Sequence, residues 1–262
     1  MSDEVEQEKT PDRFRSHPGQ DSKRKLPKRF YTQVGVKSEA GVFLIELDGR
    51  QVKTPGREPL AVVSKELAAA IAQEWEAQEK EIDPEKMLLT KLANTALDRV
   101  GPRREVIVDE ITAFAGSDLL CYRAEEPEGL VKRQALAWDA VLGWLETLTG
   151  AKLKVTSGIV FMTQSEANIG LLRANVATRG DFELAGLHQA VSLTGSLALG
   201  LALLDAHIDA DTAHEMSTID EAWQMEQWGS DEEAEGRLNH RRRELLAIGH
   251  YLELLRGAAS PE

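Results

Sequence analysis

Cysteine is almost missing from this chain: Cys121 is the only one among 262 residues. A lone thiol excludes an internal disulfide and any cysteine-built zinc cluster, and it fits a reducing compartment. Positive charge is also short, with 31 Lys and Arg against 44 Asp and Glu and a formal net charge of -13. That balance leaves no basic surface wide enough for nucleic acid and disfavours anionic lipid. No GxxxxGK[ST] loop occurs and no GxGxxG joins a strand to a helix, so nucleotide binding has no visible support. His214-Glu215 lacks the second histidine of a zinc-protease helix, the six histidines have no ligand spacing, and no GxSxG elbow exists. Neither a metal nor a cofactor is expected.

Met1 to Lys28 has few large apolar side chains, so it cannot bury enough surface to offset ordering entropy and is read as a disordered tail over 1–28. Its Asp3, Glu4, Glu6 and Glu8 are foreign to a mitochondrial presequence, and an apolar secretory core is absent. Bacterial cytoplasm is the expected location.

What is present is an apolar supply of 42% AVILMFWYC, ample for a core. Tyr31 to Val36, Val42 to Leu47 and Arg50 to Thr54 read as a three-stranded meander with a type I′ turn at Asp48-Gly49. Leu60 to Val63 reads as a further strand, and Ser64 as the cap of a helix carrying Leu67, Ile71 and Trp75 on one stripe. A second helix through Leu88, Leu92 and Ala96 is expected to stop at Gly101-Pro102, and a third spans Arg104 to Ala115.

Leu119 to Tyr122 has the pattern of a short buried strand, and a helix begins near Leu130. At about 100° per residue, Leu130, Val131, Ala135, Trp138, Val141, Leu142, Trp144, Leu145 and Leu148 cover half of that helix. A face so wide predicts a sheet on one flank and helices on the other. Leu153 to Thr156 and Gly158 to Phe161 are read as strands of the same sheet.

Beyond Ser165 the β signal vanishes. Asn168 to Ala177 is expected as a helix, and Leu184 to Leu204 as a buried helix whose polar residues and missing basic flanks argue against a membrane span. Thr212 and Ser230 open apparent capping boxes, two helices meet at Gly229, and a last helix runs from Asp231 to about Leu255. The expected class is α+β: a mainly antiparallel sheet with helices over 29–164, then an all-helical domain over 165–262.

Carboxylates are too abundant for any pair to mark a hydrolase, although a carboxylate-based hydrolase stands as the alternative enzyme reading. Ile219 to Glu235 is distinctive. Glu221, Met225 and Trp228 share one helical side; Met216, Ile219, Ala222, Trp223 and Glu226 share another. Either this helix is sandwiched in the core, with Glu226 meeting a donor, or a tryptophan face rimmed by Glu221, Glu232 and Glu235 is open to a protein partner. Trp75 fits either picture.

LTKLANTALD (Leu89 to Asp98), DLLCYRAEEPEGLVKRQALAWD (Asp118 to Asp139) and EAWQMEQWG (Glu221 to Gly229) occur in one order, and with them the chain from Phe30 onward resembles the assembly chaperones that bind the alpha subunit of F-type ATP synthase. The resemblance implies a non-enzymatic role, holding the free alpha subunit without ATP hydrolysis until the beta subunit takes its place. It also implies a sheet-containing domain followed by a helical one, and relatives in mitochondria and alphaproteobacteria. Glu221 is implied as a functional acid with Trp228 beside it, and Trp75 as a position intolerant of charge. Mitochondrial relatives tend to have glycine and histidine after WG, where this chain has Ser230 to Glu235. A general holdase is the remaining alternative.

Overall fold

The computed structural model describes residues 26–158 and 160–257. The tail expectation for residues 1–25 lies outside the described residues. Its last residues are ordered: the Pro27 carbonyl accepts from Ile82 N–H, and Lys28 bridges to Glu81.

Strands β1 (Val34–Glu39) and β2 (Val42–Leu47) form an antiparallel hairpin with Val34 opposite Leu47. Strand β3 (Arg50–Gln51) and strand β4 (Ala61–Val62) both pair with the other edge of β2, β3 at its end and β4 at its start. Positive φ at Asp48 (49°) and Gly49 (74°) gives the expected I′ turn. The first strand starts three residues later than its sequence pattern. The Asp48 carboxylate accepts the N–H groups of Thr32 (3.1 Å) and Gln33 (2.8 Å) and curls that segment around the turn.

Helix α1 (Lys65–Glu76) begins where Ser64 Oγ accepts from Leu67 N–H, and it buries Leu67, Ala68 and Ile71 against the sheet. The same hydroxyl donates to the Leu254 carbonyl near the far end of the chain. Helix α2 (Leu88–Thr95) has no cap of its own; the Glu74 carboxylate of α1 accepts its Leu89 and Thr90 N–H groups at 2.8 Å.

Several sequence expectations need correction. Gly101-Pro102 does not break the chain: a π turn (Ala96–Val100) and a 3-10 turn (Gly101–Arg103) carry it into helix α3 (Arg104–Ala113). Proline fits there because a first-turn position needs no N–H donor. Leu119–Cys121 is a 3-10 turn, drawn tight by Asp118 accepting from Leu120 N–H, and strand β5 is only Tyr122–Arg123. Its partner β6 (Thr156–Ser157) is parallel, so this pair is separate from the main sheet and ends at Gly158, where φ is +75°. Finally, Leu184 to Leu204 is two helices, α6 (Asp181–Thr194) and α7 (Leu197–Leu204). Gly195 takes φ +69° and Ser196 Oγ caps the new start, which stops the first helix.

Helix α4 (Glu128–Thr149) has helices as its main neighbours, not the four-stranded sheet. These are α5 (Glu166–Ala177), α7, α8 (Ala210–Ser217) and α9 (Ile219–Trp228). Leu130, Trp138, Val141 and Leu145 are buried, Trp144 is half-buried, and Leu148 faces solvent. The width of the apolar face reflects several helical neighbours rather than a sheet. Helix α10 (Glu232–Gly257) closes the fold across α1, α6 and α8. The caps also differ from the sequence reading: Asp209 accepts from Thr212 N–H at α8, and Asp231 from Ala234 N–H at α10, so each Asp displaces the neighbouring hydroxyl residue. The expected class holds: an antiparallel sheet with helices, then an all-helical region.

Candidate functional site

Helix α9 is fastened to α4 by polar contacts set among apolar ones. Gln134, itself buried, donates to Asp220 Oδ1 at 2.6 Å and accepts the Ala124 N–H at 2.8 Å. Trp138 Nε1 donates to the Met216 carbonyl at the end of α8, just before α9 begins, at 2.9 Å. Trp223 lies on Gly129, where a Cβ would stand 2.6 Å from the indole, so only glycine admits the ring. Arg133 lies 5.1 Å from that ring centre and forms two bonds with Glu226, at 2.7 and 2.9 Å. The Arg133 hydrogen bond holds the Glu226 carboxyl below the usual range, and Glu226 raises the guanidinium in return. Glu226 thus has its donor, and Trp223 is the ring of this helix that packs on α4.

Much of the helix surface beyond Trp223 borders open space. Trp228 is 80% exposed at the last residue of α9, and Gly229, at φ +84°, turns the chain away beneath it. Met225 lines two adjoining clefts. One, of ≈ 760 Å³, lies among α4, α8, α9 and α10 and includes Ala137, Met216, Ile219 and Leu238. The second, of ≈ 410 Å³, lies between α9 and α10 and includes Glu221 and Trp228. Ser230 and Leu238 join Met225 in both, so the two form one trough.

The sequence-predicted residues divide accordingly. Glu221, Met225 and Trp228 are brought together, with Glu221 paired to Arg241 at 3.3 Å. Glu232 and Glu235 stand exposed on the first turn of α10, Glu235 accepting from Ser230 Oγ. Trp75 is not part of this surface. It packs half-buried against the core, 5.7 Å from Tyr31, and lines a separate cleft beside β3. Its carbonyl accepts the Tyr31 hydroxyl at 2.7 Å. A charge at Trp75 would therefore disrupt packing between α1 and the sheet.

Two carboxyls are pushed above their ordinary values by burial, Glu74 and Asp118, and they sit apart. Each accepts backbone N–H groups at a helix start: Glu74 at α2, Asp118 at Leu120 and at Ala198 of α7. Burial pushes the Cys121 thiol up to about 12, which suits an inert core thiol. Among the described residues no group of three or more His, Cys, Asp or Glu is placed to hold a metal ion. No helix there is long and apolar enough to cross a membrane. Sequence reasoning passed over Arg133, which anchors α9, and Leu136, which is 86% exposed on α4. Leu136 falls outside that helix's apolar stripe, and this was the available signal.

Comparison with known proteins defines the class first: residues 28–146 match a family model described as ATP12 chaperone protein. The crystal structure of Atp12 from Paracoccus denitrificans is similar at 41% identity, with a TM-score of 0.83, covering 87% of this chain and 97% of that one. A mutant of the Paracoccus protein matches with the same identity and TM-score. A solved Agrobacterium tumefaciens protein has 38% identity and a TM-score of 0.83 over 92% of both chains. The mitochondrial atp12 of Schizosaccharomyces pombe is 26% identical over 220 residues, 79% of this chain and 75% of that protein. The chain belongs to the ATP12 chaperone family, whose role is in ATP synthase assembly.

Proposed function

We propose that this protein binds the free alpha subunit of F-type ATP synthase and shields its subunit interface until the beta subunit replaces it. The observation that carries this reading is Trp228, an 80% exposed indole beside Met225 on an acid-edged trough. An unassembled subunit presents apolar surface meant for its neighbour, and such surface aggregates. A chaperone covering it protects by mass action. Release needs no nucleotide when the beta subunit binds the same face more tightly. The work is done by contact alone, with no bond made or broken, in bacterial cytoplasm or, for eukaryotic relatives, the mitochondrial matrix. The trough lies where α4 meets α8, α9 and α10.

The test is to dilute denatured alpha subunit with and without the protein and to follow light scattering and co-elution. Suppressed aggregation and a complex that beta subunit dissociates, both in the absence of ATP, are expected. Failure to bind or protect the alpha subunit refutes the proposal. Equal protection of an unrelated aggregating protein refutes its client specificity.

A further inference from the structure

Leu136 is the most exposed large apolar side chain among the described residues, at 86%. The fold does not need it: the buried side of α4 is made by Leu130, Gln134, Trp138, Val141 and Leu145. Its position is informative. Leu136 is seven residues from Gly129, two turns along the face on which Trp223 rests. It is one turn from Arg133, which grips Glu226, and adjacent in sequence to Ala137, which lines the larger cleft. From α4, Arg133 and Ala137 line the larger cleft, and Leu136 stands exposed beside them, while α9 supplies Met225 and Trp228.

We propose, resting on the client-holding reading, that Leu136 is a client-contacting residue. The binding surface is then a trough with apolar anchors on two helices, seating an apolar client segment flanked by Lys or Arg. Charge selects that occupant. The trough's arginines are already paired, Arg133 with Glu226, Arg237 with Glu233 and Arg241 with Glu221. Glu215 on the cleft wall and Glu232 at the start of α10 have no cationic partner among the described residues. The uncompensated charge along the trough is thus negative, which favours a basic-flanked client segment over an acidic one. Two separated anchors also fix orientation, because a segment touching only Trp228 could still rotate about it.

The experiment measures the Kd for purified alpha subunit with the wild-type protein, Leu136→Asp and Trp228→Asp, together with the melting temperature of each. A Leu136→Asp Kd at least about ten-fold weaker, with unchanged melting, is expected from the apolar area left unburied. A separate reporter is Leu136→Cys carrying a thiol-reactive bimane, selective because Cys121 is fully buried. Its emission should shift blue when alpha subunit is added, whereas the same label at Val36→Cys on β1 should not respond. Weakening by Trp228→Asp alone, with no bimane shift at Leu136→Cys, overturns the inference and leaves the proposed function standing. A wild-type protein that does not bind the alpha subunit overturns both.

Discussion

Replacing Gln134 by leucine tests how firmly the binding helix is seated. The side chain is 1% exposed and close in volume to leucine, so the change removes hydrogen bonds while opening little space. It leaves the half-buried Ala124 N–H without its 2.8 Å acceptor and the Asp220 carboxylate without its 2.6 Å donor. A stranded buried amide costs about 1–3 kcal/mol, and a lost bond to a charged group about 1.5–3 kcal/mol before water returns to it. Asp220 is only half-buried, so water recovers part of the second loss. A net destabilisation of about 2–4 kcal/mol follows, equivalent to a fall of about 4–16 °C in melting temperature for a chain of this size. Differential scanning calorimetry and urea titration read it directly. Because Asp220 sits in the first turn of α9, binding of alpha subunit should weaken as well, even at temperatures where the variant is folded. A change below about 0.5 kcal/mol, within the range of ordinary surface substitutions, would refute the claim that this bridge anchors the helix.

Gly56→Ala should cost about 1–3 kcal/mol by denaturant titration, because the new Cβ would lie 2.5 Å from Asp98 Oδ1. That carboxylate is held by Thr54 Oγ1 at 2.6 Å and Gly56 N–H at 2.8 Å, so it cannot retreat freely; an unchanged midpoint would show that it can. Asp48 has its folded pKa lowered by the N–H groups of Gln33 and Thr32, so its stabilising contribution is present above the ordinary carboxylate value and is lost as pH falls through the lowered one. The melting-temperature gap between wild type and Asp48→Asn should therefore be widest near neutral pH and close in acid; a gap that widens in acid would contradict the sign. Glu221→Lys exchanges a half-buried pair with Arg241 for like charges, a loss of about 1 kcal/mol in stability. Alpha-subunit affinity should drop much further than that, and an equal loss in both measurements would place Glu221 in structure rather than recognition.

The local chemistry of the front half was legible in the sequence. Alternation set β2 at Val42–Leu47, Asp48-Gly49 announced its turn, and Ser64 its cap, because each depends on neighbours in sequence. Where long-range partners decide, the pattern misled. Leu119 to Tyr122 is apolar enough for a strand, yet Asp118 ties it to the start of α7 eighty residues away and tightens it into a turn. The same holds for α2, capped by Glu74 from another helix. In the trough, spacing grouped Glu221, Met225 and Trp228 on one side of α9 but left open whether that side was buried or exposed. Leu136 was marked only by falling outside the apolar stripe of α4, a signal that does not say what an off-stripe leucine is for.

The kink at Gly195-Ser196 also sets how far the apolar passage can reach. A single helix from Leu184 to Leu204 would be about 31 Å long, close to the hydrocarbon thickness of a bilayer. Instead it is shared between helices of 14 and 8 residues, the first starting at Asp181, which are rods of about 21 and 12 Å, and neither can reach from one headgroup layer to the other. The greasiest passage of the polypeptide is thereby split at a left-handed glycine into two helices, each too short to span lipid.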